Sequence, residues 1–293
     1  MGRKILFITA SALLIFATIG VSNRGIQPKR QIQAEDKPRP IGDVFVGEEF
    51  YYTVGFWILD DVGVAAINLK KNAEGSGYIA TLNAHTTDKV NWLIPREDTY
   101  TSHIEMSPDG KRFITKSFEK HVKIGSKIRR SITYLDYDKG LMTWRTWKGD
   151  KEIVPKETEP NEMKMMEGVF YDDPMTAFYN FRYGAYGPIG EGREYRITAI
   201  PKKEVVDIIL RLFTREEMES HFKDRSVVAR YLAKVRLDKE LFGSKTGDVE
   251  ILFDERLVPM EVVAKDIFLF GDVTGKIIKP PLPEPKTETA CNL

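Results

Sequence analysis

Three histidines raise the question of a metal site first. His85, His103 and His121 fall on three stretches with strand character, and imidazole is a common zinc ligand. Their spacing argues against a shared ion. The turn Ser107-Pro108-Asp109-Gly110 is expected to pair Met106 with Arg112, which sets His103 opposite Thr115. His121 then lies six residues farther on, roughly 20 Å along the strand. Bonds of about 2 Å cannot bridge that gap. His221 lies elsewhere, and no metal is expected.

The acidic pairs Asp60-Asp61 and Asp172-Asp173 have the composition of acid–base dyads. Adjacent side chains on a strand or turn point apart, so a turn and a helix cap explain them better. Gly271-Asp272-Val273-Thr274-Gly275-Lys276-Ile277 resembles a phosphate loop. It has three residues between its glycines instead of four, and Ile277 stands where Ser or Thr would hold magnesium. Gly187, Gly190 and Gly192 lack the spacing of a dinucleotide-binding turn. No G-x-S-x-G elbow occurs, and Cys291, the only cysteine, lies in the tail, away from any histidine. These patterns point to no catalytic residue and no cofactor.

Aromatic residues are the remaining signal. Phe178, Tyr179, Phe181, Tyr183 and Tyr186 cluster in one stretch, and Trp57 and Trp144 fall on or beside strand stretches. Core packing is the first explanation for them. The functional one is an apolar groove between a helix and a sheet, able to take an acyl chain or similar ligand. Tyr183, Tyr186 and the glycines beside them would form its rim.

The element that must position this group is a helix over Pro174–Arg182. Asp172 or Asp173 can cap it, Pro174 suits its first position, and Gly184 can stop it. At 100° per residue its apolar positions cover most of the circumference, leaving Thr176 and Asn180 as a narrow polar strip. A helix this short draws its stability from packing. The stretches around it read as short strands: 50–57, 64–70, 77–86, 100–106, 112–124, 127–135, 141–148, 193–200, 205–213, 227–237, 249–253, 258–264 and 268–278, with a short strand also after Gly149-Asp150. Residues 90–94 are ambiguous, 205–213 also offers a helical stripe of Val205, Ile208, Ile209 and Leu212 behind Pro201, 156–167 read as an exposed loop, and 216–222 as a short helix. In 227–237 the odd positions are expected to face the core and Arg230, Lys234 and Arg236 the solvent.

The pattern predicts a mainly β, antiparallel fold: a partly closed barrel or half-barrel with the short apolar helix inside it or across its mouth. One β-rich domain over 45–278 is expected, preceded by a linker over 23–44 and followed by a disordered, proline-rich tail over 279–293. Arg3-Lys4 followed by the 17 apolar-dominated residues 5–21 has the form of an export signal, cleaved or kept as an anchor, over 1–22. Residues 1–34 hold five basic side chains and no acidic one, so the remainder has 39 basic against 43 acidic, a net of −4. Such a domain is a poor nucleic-acid binder.

Several segments resemble one family. They are Gly47-Glu48-Glu49-Phe50-Tyr51-Tyr52 with Asp61-Val62-Gly63-Val64-Ala65, then Asp173-Pro174-Met175-Thr176-Ala177-Phe178-Tyr179, and finally Asp254-Glu255-Arg256-Leu257-Val258-Pro259 with Phe270-Gly271-Asp272-Val273. In this order they are similar to the exported bacterial domain-of-unknown-function family 3108. The resemblance implies a signal peptide, an antiparallel β domain and a periplasmic or envelope-anchored location, and it carries no catalytic residue. The partners it leaves to expect are a lipid-like small molecule or an envelope protein, with membrane contact through the N-terminal segment alone. The alternative is an interaction scaffold with a packed core and no ligand; an unrecognised hydrolase is third.

Overall fold

Burial alternates residue by residue along most of the strands, and that period of two builds the molecule. The computed structural model describes residues 39–56, 58–73, 75–92, 95–153, 161–201, 207–223, 229–236, 245–267 and 271–278. The expected signal or anchor, the tail and Trp57 lie outside the described residues. The chain opens with α1 (Ile41–Phe45), then β1 (Glu49–Phe56), β2 (Leu59–Lys71) and β3 (Tyr78–Thr86). The one-turn α2 (Asp88–Asn91) leads into β4 (Arg96–Met106), β5 (Phe113–Ile124), β6 (Lys127–Asp136), β7 (Leu141–Lys148) and the two-residue β8 (Lys151–Glu152). After β9 (Glu162–Lys164) comes α3 (Pro174–Tyr183), followed by β10 (Glu194–Thr198), β11 (Asp207–Leu212) and α4 (Arg215–His221). β12 (Tyr231–Arg236), β13 (Asp248–Phe253), β14 (Pro259–Ile267) and β15 (Gly271–Ile278) complete the described elements.

All of these strands join one antiparallel sheet. Its order runs β10 to β15 and then β1 to β8, with the first and last strands meeting side by side at the middle and β9 hydrogen-bonded to β7. Among the described residues the sheet ends at β10 on one side and at β8 and β9, both paired with β7, on the other. The two sides are joined through the segment after β9 rather than by a full ladder. Asp172 donates its N–H to the Thr198 carbonyl at 2.9 Å and accepts from the Ile200 N–H at 3.1 Å, one isolated parallel bridge. The result is the partly closed antiparallel barrel with one short apolar helix that the strand pattern predicts.

Two apolar cores fill it. Ile41, Phe45, Ile67, Leu82, Tyr100 and Phe113 are central to the first, under β1–β5. Leu212, Ala233, Ile251 and Phe253 are central to the second, under β10–β15. α3 belongs to both: Met175, Phe178 and Tyr179 enter the first and Phe181 the second. The helix thus stands between the halves of the sheet.

Several expectations need correction. The stretch read as the end of a linker is α1, whose Ile41 and Phe45 are core residues, so the folded domain reaches back past residue 45. Gly42 is there because Tyr78 crosses it closely: a Cβ would lie 2.0 Å from the phenol oxygen. Residues 88–91 form α2 where a strand was one option. Part of the expected loop 156–167 is β9. Met106 pairs with Phe113, not Arg112, because Arg112 closes the turn onto Ser107, and Lys116 is a further extra residue in β5: Ile104 pairs with Thr115 but His103 with Ser117. His121 consequently faces Thr99, four residues from His103 along β4. Leu232, assigned to no face in advance, is buried on the outer side because Met218 of α4 covers it. Within 205–213 the described part is strand from Asp207.

Candidate functional site

The densest polar chemistry lies at the N-terminus of α3. Pro174 at the first position and Asp173 in an extended conformation before it set the start, and Gly184, at φ +84°, closes the end in the left-handed region. Asp173 is fully buried. Its Oδ1 accepts from the Met175 N–H at 2.9 Å, the Thr176 N–H at 3.2 Å and Ser102 Oγ at 2.5 Å. Its Oδ2 accepts from Thr115 Oγ1 at 2.8 Å and Thr176 Oγ1 at 2.5 Å. One carboxylate thus saturates the helix start and ties it to β4 and β5. A fully buried carboxylate is tolerated only with such a set of donors.

The polar strip continues up the helix. Asn180 behaves like a strand neighbour of Phe113: it accepts from that residue's N–H at 2.8 Å and donates to its carbonyl at 2.9 Å. Thr176 and Asn180 therefore face β5 rather than solvent, and both are fully buried.

Asp172, next in the chain, serves the barrel closure. Its carboxylate pairs with Arg112 and accepts from the Tyr186 hydroxyl, with Asn180 Nδ2 at 3.4 Å. The Arg112 guanidinium lies 5.1 Å from the Phe170 ring centre and 5.2 Å from that of Tyr186. Burial pushes the Asp172 carboxyl up to about 6, against the pull of Arg112, Tyr186 and Asn180 and with a further push from Asp173. Burial, and then Asp172 itself, raises the Tyr186 phenol well above its ordinary value.

At the other end of α3, Arg182 makes a two-pronged ion pair with Glu48 at 2.6 and 3.0 Å. Its guanidinium packs over Phe45 at 4.6 Å and Phe178 at 5.0 Å. A cation in the last turn also complements the helix dipole. None of Ser102, Thr115, Arg112, Arg182 or Glu48 stood out in the sequence as a partner of this helix. Their separations, 71 residues for Ser102–Asp173 and 134 for Glu48–Arg182, leave no local signal.

The seven groove candidates do not line one groove. Phe178 and Tyr179 are buried in the first core with their rings 4.9 Å apart, and Tyr183 packs at its edge, donating its hydroxyl to the Arg39 carbonyl at 2.8 Å. Phe181 is buried in the second core against Tyr195 at 5.2 Å and Phe253 at 5.7 Å, and Tyr186 packs beside that core. Trp144 belongs to a third cluster with Leu135, Met142 and Tyr171. Trp57 is not among the described residues. The helix is enclosed on every side, so its aromatic rings meet protein where an acyl chain was pictured.

Trp144 is partly buried, as Tyr183 and Tyr186 are, and it lies on the inner face of the sheet. Directly opposed residues of antiparallel strands share a face. Trp144 pairs with Thr133 and Thr133 with buried Phe118, so all three line the inside of the sheet. The next inner row is Lys120, Ser131 and Thr146, and the one after it Val122, Arg129 and Lys148. Exposure rises along these rows, away from α3. Two separate cavities lie on outer faces: about 360 Å³ between α4 and β12–β14, lined by His221, Leu232, Glu250 and Lys265, and about 380 Å³ beside Asn68, Ile79 and His103.

No protein-family model matches the chain, and no curated protein matches it. Solved structures do show likeness, among them the following two. One is a β-barrel-like protein of the domain of unknown function DUF1849 from Brucella abortus, with 12% identity, a TM-score of 0.41, and coverage of 79% of this chain and 95% of the other. The second is a DUF1089 family protein from Pseudomonas aeruginosa, with 14% identity, a TM-score of 0.33, and coverage of 70% and 91%.

Proposed function

We propose that this β-barrel-like protein is exported to the cell envelope and binds a lipid-like ligand or an envelope partner on the open inner face of β4–β7. The observation that carries the reading is the rise in exposure of the sheet's inner face past the Phe118–Thr133–Trp144 row, where Trp144 is partly exposed. Aromatic side chains at the edge of a concave surface are the usual anchors for apolar ligands. α3 takes no part in contact with ligand; it fills and braces the rest of the barrel. Arg3-Lys4 and the apolar stretch that follows support export, as does the resemblance to family 3108.

Native mass spectrometry of protein purified from its own envelope fraction tests this. The expected result is an added mass that organic extraction removes. A ligand-free mass, together with no binding of any added amphiphile, overturns it. The second reading is a scaffold without ligand. It is favoured by the tight enclosure of Phe178, Tyr179 and Phe181, and an empty protein that still captures a defined envelope protein would select it.

A further inference from the structure

The two ends of the barrel differ in chemistry. At one end the β4–β5 turn is Ser107-Pro108-Asp109-Gly110 and the β6–β7 turn is Asp136-Tyr137-Asp138-Lys139-Gly140. At the other end the β1–β2 connection carries Ile58, 93% exposed, with Leu59 at 46%, and the connection from β3 to β4 carries Trp92, 80% exposed. The next large apolar side chain in order of exposure among the described residues is Met166, at 51%. The two connections are fastened to each other. Lys89 Nζ lies 3.3 Å from the Asp61 carboxylate and donates to the Asp60 carbonyl at 3.2 Å, and the Thr87 hydroxyl donates to the Asp61 carbonyl at 2.6 Å. Trp92 Nε1 donates to the Lys89 carbonyl at 3.1 Å, which orients the ring while most of its surface meets solvent. Trp57, Leu93 and Ile94 belong to the same connections in the sequence and lie outside the described residues.

Apolar residues exposed singly are ordinary, but the two most exposed ones on one tethered tip mark a contact surface. A tryptophan and two aliphatic neighbours can bury about 500 Å² at most, short of the roughly 800 Å² per partner of a stable protein interface. They suit the headgroup layer of a lipid bilayer, where tryptophan is enriched. Residues 58–61 and 87–92 hold Asp60, Asp61 and Asp88 against Lys89, a net of −2, so an anionic surface is not attracted and a zwitterionic one fits. The chain enters the fold at the opposite end, where the Ile41 N–H donates to the Gly110 carbonyl at 2.8 Å. The 13 residues of β2 span about 43 Å. The 17 residues 22–38 reach about 55 Å when extended, so the apolar stretch 5–21 and the tip can meet one bilayer. We infer that Ile58, Leu59 and Trp92 form a membrane-docking tip that enters the headgroup layer of a zwitterionic bilayer, a second contact beside the N-terminal segment that was expected to make the only one. The tip is separate from the inner face, so its failure leaves ligand binding there untouched.

The test is fluorescence of the full chain with Cys291→Ser, carrying a nitrobenzoxadiazole label on Ile58→Cys or, as the control at the polar end, on Asp138→Cys. Each protein is added to phosphatidylcholine vesicles with and without phosphatidylglycerol. At position 58 a blue shift and quenching by lipids spin-labelled near the headgroup are expected, and at position 138 neither. Trp92→Ala should weaken the response at 58 by about tenfold in lipid concentration with the unfolding midpoint unchanged, and Trp92→Phe, which keeps a ring, should retain most of it. A label at 58 that stays in water with both kinds of vesicle overturns the inference. So does a shift at 58 that requires phosphatidylglycerol, or one that grows with protein concentration alone, which would assign the tip to a second copy of this chain. Equal responses at 58 and 138 would mean that the N-terminal segment alone brings the domain to the bilayer, and they overturn the inference as well.

Discussion

Replacing Asp173 by alanine is the sharpest probe of how this barrel is held. Five donors converge on that carboxylate: two N–H groups of the first turn of α3, and the hydroxyls of Ser102, Thr115 and Thr176. Loss of the cap costs about 1–2 kcal/mol. Each buried hydroxyl left without its acceptor costs about 1 kcal/mol more. Thr115 and Thr176 can recover part of this by bonding each other, since their oxygens are already 2.9 Å apart. The sum is a loss of about 3–4 kcal/mol, a large share of the 5–15 kcal/mol of an ordinary domain. Urea unfolding followed by tryptophan fluorescence measures it. Asp173→Asn keeps an acceptor for the helix N–H groups and should lose about half as much. In a double-mutant cycle, Ser102→Ala should couple to Asp173→Ala by about 1 kcal/mol. A loss below about 1 kcal/mol for Asp173→Ala, or equal losses for Ala and Asn, would refute the idea that one carboxylate fastens the helix to the sheet.

Phe178→Ala removes a ring buried between α3 and β1 and should cost about 3–5 kcal/mol; a loss under about 1 kcal/mol in the same assay would place the helix outside the core. Glu48→Gln leaves the buried Arg182 cation without its counter-charge and should cost about 3 kcal/mol, an outcome that an unchanged unfolding midpoint would contradict. Asp172 gives a pH dependence. Its folded carboxyl is raised to about 6 from an ordinary 3.8, so between those values the folded state binds more protons than the unfolded one. Its contribution is therefore fully present below the unfolded value and is lost as pH rises through about 6, a total of about 3 kcal/mol. Urea unfolding at a series of pH values should show that this component of the slope vanishes in Asp172→Asn; identical slopes in the two proteins would mean that burial does not raise the carboxyl.

Local chemistry made α3 legible. Asp173, Pro174 and Gly184 mark its ends, and its apolar circumference already implied burial on nearly every side. The same was true of strands whose two faces differ, such as β12, except where a distant element intrudes. Leu232 is buried on the outer side because α4 lies over it, and α4 packs there through Met218, well separated from it in the chain. α1 was hidden for the opposite reason. The five residues Ile41–Phe45 have too little helical tendency to be noticed, and the helix rests on Ile41 and Phe45 entering a core formed by later strands. The groove residues were grouped by nearness in sequence and by type, whereas the folded chain sorts them by face.

Face assignment in β5 shows why the inner row of this strand could not be read in advance. Counting by twos from buried Phe113 through Thr115 sends Ser117, Glu119, His121 and Lys123 inward. The extra residue at Lys116 resets the count, so Phe118, Lys120 and Val122 point inward instead. Deletion of Lys116 is then a discriminating experiment. Thr115 would keep its partner Ile104, Ser117 its partner His103 and Phe118 its partner Ser102, with both faces preserved. The losses would be the local bend, the 3.6 Å contact of Lys116 with Glu105 and its position over the Tyr137 ring, on the order of 1–2 kcal/mol together. Deletion of Lys120 has no such escape. It turns His121 and Lys123 toward the interior and Val122 out, so that every later residue of the strand changes face. Unfolding curves of the two deletions should differ widely, with the first folded and the second not. Equal behaviour would mean that Lys116 is not the residue that sets which side of β5 faces the barrel.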